Sequence, residues 1–226
     1  LDEPLKQHLD SCLNCRACEA ACPSGGQYGE LIDGMRAIQR DLDQNESWAK
    51  EKLLETTASK NKLRNSAKLM RIAQLSSIDK LLKKGMEHYI YSEQHISQLI
   101  PDSIPAYQKW QQSYAAVDKE QGHVALFTGC IADIVDQQTL RDAITLLTHC
   151  GYRVTIPPKQ GCCGALHHHS GDQQRSLQLA SDNIAAFADE SYQHIIHCAS
   201  GCGAHLMEYH KLHDNSDASH FANKID

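Results

Sequence analysis

The chain has 226 residues, 41% of them hydrophobic, with 22 Lys+Arg against 28 Asp+Glu and 10 cysteines. That length and apolar content support one sizeable core plus a smaller cysteine-rich unit, and exclude a disordered tail or a tiny disulfide scaffold. A formal net charge of -6 opposes a phosphate-binding surface, and no run of about 18 apolar residues is present to cross a bilayer, so nucleic-acid and integral membrane roles are set aside. No basic start, apolar run and small-residue cleavage site marks the chain for secretion, so a cytoplasmic setting with reduced thiols is expected. There, cysteines clustered at short spacings hold metal rather than form disulfides. The first residue is Leu1, not Met, and residues ahead of it are expected.

In chain order, residues 1–34 form a compact module in which Cys12, Cys15, Cys18 and Cys22 lie close together and Pro23, Gly25, Gly26 and Gly29 break regular structure. Between about 36 and 98, Leu63, Ala67, Met70, Ala73, Ile78 and Leu81 recur near the 3.6-residue period, predicting helices with Gly85 as a stop. Residues 100–120, with Pro101 and Pro105, read as a surface linker, which makes 35–120 a helical region and linker and places a boundary near 120. From 121 to 226, β-prone runs at His123–Thr128, Tyr152–Ile156 and Gln193–His197 alternate with helical patterns at about 136–149, 172–190 and 203–212. That alternation predicts a parallel α/β domain, so the whole chain is expected to be α+β or α/β. The polar end after 212 carries no readable signal, and Cys150, before Gly151 at a helix end, is expected to be a buried small apolar residue.

The run from Cys12 to Pro23 is C-x2-C-x2-C-x3-C-P, the spacing with which bacterial-type ferredoxins hold 4Fe-4S clusters. Cys12, Cys15 and Cys18 can reach separate irons of one cube, whereas the cysteine before proline typically serves the other cluster of a pair. No second copy of the motif occurs, so either Cys22 closes the first cube or the partner motif precedes Leu1, and the absence of Met favours the latter. A zinc-binding interaction module is the bland alternative, although zinc sites usually use two separated C-x2-C knuckles.

Cys130, the pair Cys162–Cys163, and Cys198 with Cys202 each follow a predicted strand. All would emerge at the carboxyl edge of a parallel sheet, where ligands bind beside helix N-termini that favour anions. Gly129, Gly161, Gly164, Gly201 and Gly203 flank them, as close approach to a bulky inorganic core requires.

Taken together, D-x-C-L-N-C-R-A-C-E-A-A-C-P-S-G-G-Q-Y, T-G-C, G-C-C-G-A-L-H-H-H and A-S-G-C-G-A resemble the iron-sulfur subunit of bacterial glycolate oxidase over nearly the whole chain. That family resembles lactate-utilisation and anaerobic glycerol-3-phosphate dehydrogenase iron-sulfur subunits and, more distantly, heterodisulfide reductase, whose CCG domains hold clusters. The resemblance implies two ferredoxin-type motifs followed by two cysteine-rich repeats, carrying electrons from a flavin subunit that oxidises a 2-hydroxy acid to a downstream acceptor. This chain has one of each, and is expected to be a piece containing the second motif and the first repeat. The resemblance also implies Cys130, Cys162, Cys163 and Cys202 as ligands of a 4Fe-4S cluster, with Cys198 a fifth, cofactor-binding position. Heterodisulfide-reductase-like or lactate-utilisation oxidoreductases are the alternative reading, but the C-x3-C of Cys198 and Cys202 departs from the C-x2-C of the former.

No catalytic side chains are assigned, and no Gly-rich phosphate loop is present, so flavin is expected on another subunit. His167, His168 and His169 read as a polar approach to a helix, with metal ligation the alternative; His194, His197 and His205 read the same way, or as hydrogen-bond donors to cluster sulfur. Arg16 reads as a charge partner of the cluster or a docking contact. Residues 60–84 hold eight Lys+Arg and one Asp, a basic amphipathic face that is either solvated or rests peripherally on the inner face of the cytoplasmic membrane.

Overall fold

The computed structural model describes residues 3–42, 48–76 and 103–226. Its amino-terminal part is helical: α1 (Glu3–Ser11), α2 (Ala17–Ala21), α3 (Tyr28–Leu42), α4 (Trp48–Ala58) and α5 (Lys60–Leu75). Helix α3 crosses position 34, where composition alone placed a boundary. Ser59 caps α5 by accepting from the Lys62 backbone N–H at 3.4 Å. The expected helical positions Ile78 and Leu81 and the stop at Gly85 lie outside the described residues.

The remainder follows as β1 (Ser113–Tyr114), β2 (Gly122–Phe127), α6 (Ala132–Val135), α7 (Gln137–His149), β3 (Tyr152–Thr155), α8 (Ala165–His169), α9 (Gln173–Ala186), β4 (His194–His197), α10 (Ser200–Met207), α11 (Tyr209–Leu212) and α12 (Ser216–Asn223). The sheet order is β1-β3-β2-β4, with β2 parallel to both β3 and β4. Central β2 is buried on both faces, which is why it reads as continuous apolar sequence rather than alternating. Val124 and Leu126 pack with Val154, Leu140 and Ile144 on the α7 side. Ala125 and Phe127 pack with Ile195, Ala180, Leu206, Tyr209 and Phe221 on the side of α9, α10 and α12. The result is an α/β domain with helices on both faces of its sheet.

Three local expectations are corrected. The segment read as linker supplies β1, an antiparallel edge strand with Ser113 opposite Thr155. The polar tail forms α12, capped by Asn215 through the Ala218 N–H at 2.8 Å, after which Ile195 N–H donates to Lys224 at 2.6 Å and extends the sheet edge. Cys150 is exposed: it caps α7 on the solvent side, where Gly151, at φ +86°, turns the chain into β3. Among the described residues no helix is long and apolar enough to cross a membrane.

Candidate metal centre

Cys130 lies beyond the carboxyl end of β2, Cys162 and Cys163 lie between β3 and α8, and Cys202 lies in the first turn of α10, after β4. Chain reversal of direction around β2 makes this edge the switch point of the sheet, where open α/β folds form a crevice. Cys130 and Cys162 meet there with their sulfurs 3.5 Å apart, and Cys163 is hydrogen-bonded to both Cys162 and Cys202. Gly129 adopts φ +64°, and a Cβ on it would come within 4.0 Å of the Cys202 Sγ, so the T-G-C turn runs close beneath the thiols.

The four thiols do not share their protons equally. Cys162 is pulled down because Cys130 and Cys163 both donate to it and the Gly164 N–H approaches its sulfur at 3.5 Å. Cys130 and Cys163 are pushed up, Cys130 by its hydrogen bond to Cys162 and by burial, Cys163 by its bonds to Cys162 and Cys202 and by burial. Cys202 is lowered by the bond from Cys163. Crowded thiols that stabilise one another's anions are the donor set a cationic metal core requires. Among the described residues no three His, Cys, Asp or Glu side chains converge as a single-ion site demands. An iron-sulfur core takes each cysteine on its own iron, so its ligands need only ring a shared space, and the residues present fit it.

Polar residues the sequence did not single out hold the ring in place. Gln160 Oε1 accepts from Thr128 N–H at 2.7 Å while its Nε2 donates to Leu126 O at 2.9 Å, tying the Cys162 loop to β2. Asn183 accepts from Gly161 N–H at 2.9 Å and donates to Cys162 O at 2.8 Å, and Tyr209 OH donates to Cys163 O at 2.6 Å. Cys198 stands apart: it is exposed, and its thiol is raised by partial burial and by Asp136 rather than by another cysteine.

The first motif is organised differently. Asn14 and Arg16 take left-handed backbone (φ 50° and 57°) without being glycine, curling Cys12, Cys15 and Cys18 around one short loop. Gly29 passes beneath it; a Cβ there would lie 2.8 Å from Arg16 Nε and 3.0 Å from Glu19 Oε1, so a side chain at this position would push the Arg16 and Glu19 side chains aside. Cys22 is turned to Ser24 Oγ at 3.0 Å and Tyr28 OH at 3.8 Å, and the hydrogen bond to Ser24, with those to the Gly26 and Ser24 backbone, lowers its thiol to about 7. Cys12 and Cys22 are half-buried, and Cys15 and Cys18 are exposed.

The loop docks on the α/β domain through residues adjoining both cysteine sets. Arg16 grips Glu208 with two bonds of 2.5 and 2.8 Å, and Asn14 donates to Asp33 at 3.0 Å, which also meets His169 at 3.0 Å. The histidine run serves this junction: His167 binds Asp172 at 2.9 Å and Leu54 O at 3.2 Å, and His168 lies 3.5 Å from Asp33. His205 is buried and hydrogen-bonds Ser176 at 3.2 Å, while His194 pairs with Asp226.

Residues 124–207 match the family described as CCG, cysteine-rich domain. Over 96% of its length the chain is 33% identical to the probable glycolate oxidase iron-sulfur subunit of Bacillus subtilis (strain 168), covering 51% of that protein. It is 27% identical over 93% of its length to the glycolate oxidase iron-sulfur subunit of Escherichia coli (strain K12), covering 48% of it. Lactate utilization protein A of Shouchella clausii matches 40% of this chain at 33% identity, covering 37% of that protein. The chain spans about half the length of the two glycolate oxidase relatives. No solved structure matches. Residues 124–207 thus match the CCG cysteine-rich domain family, in a chain that is similar over nearly all its length to about half of a glycolate oxidase iron-sulfur subunit.

Proposed function

We propose that the chain is an iron-sulfur electron-transfer segment of a complex oxidising glycolate or a related 2-hydroxy acid. Electrons come from a flavin-bearing partner subunit and leave to a membrane or soluble acceptor. The observation that carries this is the meeting of Cys130, Cys162, Cys163 and Cys202, from three separate strand ends, in one cluster of thiols of which the first three are buried. The relatives' names supply the substrate class and the idea of a partner. In this reading those four cysteines ligate a 4Fe-4S cluster and Cys198, which is exposed, does not; Cys12, Cys15 and Cys18, with Cys22 or a partner thiol, hold a second. A cluster supplies one-electron transfer, and the protein sets its surroundings. The tying of both cysteine loops to one junction through Arg16–Glu208 and Asn14–Asp33–His169 keeps the two sites at a fixed separation.

Oxygen-free purification followed by iron, acid-labile sulfide and zinc counts tests the reading. About four iron and four sulfide per chain, lost in a Cys162→Ser, Cys163→Ser variant, are expected from the CCG site, and about eight in the parent if the first motif also closes. Zinc without sulfide overturns it.

A further inference from the structure

Lys60 opens α5 at an unusual place for a lysine. Ala58 and Leu63, on either side of it, pack against Cys130, Cys162 and Leu179, so the turn between α4 and α5 closes one flank of the thiol ring. The Lys60 ammonium reaches inward and donates to Thr128 Oγ1 at 3.0 Å, and Thr128 is only 2% exposed. Thr128 opens the T-G-C turn to Cys130 and is bonded to Gln160, which leads the loop to Cys162.

What this ammonium lacks is a counter-ion. Asp133 is the acid whose field it feels most, but Asp133 gives Oδ1 to Trp110 at 2.5 Å and Oδ2 to Arg64 at 2.8 Å. Among the described residues Lys60 meets a hydroxyl and no carboxylate. Burial pulls its pKa below the ordinary value, Asp133 opposes that pull and the Arg64 guanidinium adds to it. A cation withdrawn from water and left unpaired is costly, and so is a ring of thiolates. With Lys60 bound to the residue two before Cys130, and its neighbours packed on Cys130 and Cys162, each charge reduces the other's penalty.

We propose that Lys60 is the charge-compensating residue of the CCG site: its ammonium offsets the ligated thiolates of Cys130 and Cys162 and thereby favours the reduced state of the group they hold. The inference rests on the reading that these cysteines ligate an iron-sulfur cluster. Its sign is fixed by electrostatics, since adding an electron beside a fixed positive charge is easier than adding it beside a neutral side chain.

The test compares the wild-type chain with Lys60→Met and Lys60→Arg, each loaded without oxygen, counted for iron and sulfide, and titrated by paramagnetic resonance. The CCG signal is the one missing from the Cys162→Ser, Cys163→Ser variant. At a fixed poise, Lys60→Met is expected to lower the reduced-to-oxidised ratio about tenfold, equivalent to 59 mV for one electron, with Lys60→Arg close to wild type. Without metal the order reverses: Lys60→Met is expected to melt higher than the wild-type chain, because a half-buried charge with no carboxylate partner has gone. Poor loading of Lys60→Met rescued in Lys60→Arg also supports the proposal, and poor loading of both counts against it. A fully loaded Lys60→Met with an unchanged potential overturns it, whereas a wild-type chain that takes up no iron and sulfide overturns the underlying reading and this inference with it.

Discussion

Asn183 occupies an apolar-spaced position on α9, in line with Ser176, Leu179 and Ala180, and is 0% exposed. Its amide satisfies Gly161 N–H and Cys162 O at 2.9 and 2.8 Å, so the backbone on both sides of Cys162 depends on one side chain. Replacing it with leucine leaves a donor and an acceptor buried without partners, each worth about 1–3 kcal/mol. Asn183→Leu is therefore expected to lose roughly 2–4 kcal/mol in urea unfolding of the metal-free chain, and Tyr209→Phe, which frees Cys163 O but leaves Asn183 Nδ2 its bond to Cys162 O, about 1 kcal/mol. An Asn183→Leu chain as stable as the parent would show that the loop holds itself. The Cys12–Cys22 run was legible because its spacing is local, and Cys130, Cys162, Cys163 and Cys202 because each follows a predicted strand. A polar residue on the buried stripe of a helix was equally visible, but its partners lie 22 and 21 positions away in the chain, and nothing in the sequence names them.

At the scale of elements, β2, β3 and β4 fall within a residue or two of the runs read for them, because buried parallel strands must be apolar and short. Strand β1 has two residues, too few for any pattern, and exists because β3 offers an open edge. Helix α12 had a signal that went unread: Asn215 as cap, with Ala218, Phe221 and Ala222 buried at spacings of three and four. The docking of the first loop on α10 and α11 could not be read at all, since a charge at Arg16 does not say that its partner is Glu208.

That docking makes a pH prediction. Burial pushes the Glu208 carboxyl up, but the Arg16 hydrogen bond and charge, with Lys211, outweigh it and hold the carboxyl at about 2 against an ordinary 4.5. His205 is held at about 3 against 6.5, by burial first and then by His168 and His169. Both groups are depressed in the folded chain, so the unfolded chain binds the proton first. Their contribution is complete above the ordinary values and is lost on acidification, from about 6.5 downward for His205 and from about 4.5 downward for Glu208. The thermal midpoint of the metal-free chain is expected to fall steadily from pH 7 to pH 4, with a flatter upper part in His205→Gln. A midpoint that rises on acidification would mean that the buried imidazole is charged in the folded state.

Across the whole molecule, one side chain joins the two cysteine modules. Arg36 of α3 donates to Leu9 O at 3.2 and 2.6 Å and to Cys12 O at 2.5 Å on the first loop, and to His169 O at 3.0 Å on the α/β domain. Gly171 lets α3 approach this closely: at φ +82°, a Cβ there would lie 2.5 Å from Arg36 O. The basic stretch that composition offered as a solvated or membrane-facing surface is partly drawn into the same assembly, with Lys60 on Thr128, Lys62 on Glu55 at 3.4 Å and Arg64 on Asp133 and over the Tyr107 ring. Charge-assisted bonds to carbonyls are worth about 1.5–3 kcal/mol each, and removing Arg36 leaves three carbonyls to find water. Because the sheet makes none of these bonds, Arg36→Met is expected to open the junction without unfolding the domain. Amide hydrogen exchange over residues 9–22 should accelerate by at least tenfold, while Gly122–Phe127 and Tyr152–Thr155 keep their protection. Uniform acceleration through those strands would instead make the two modules a single cooperative unit, and no change at residues 9–22 would move the junction's strength to Arg16 and Glu208.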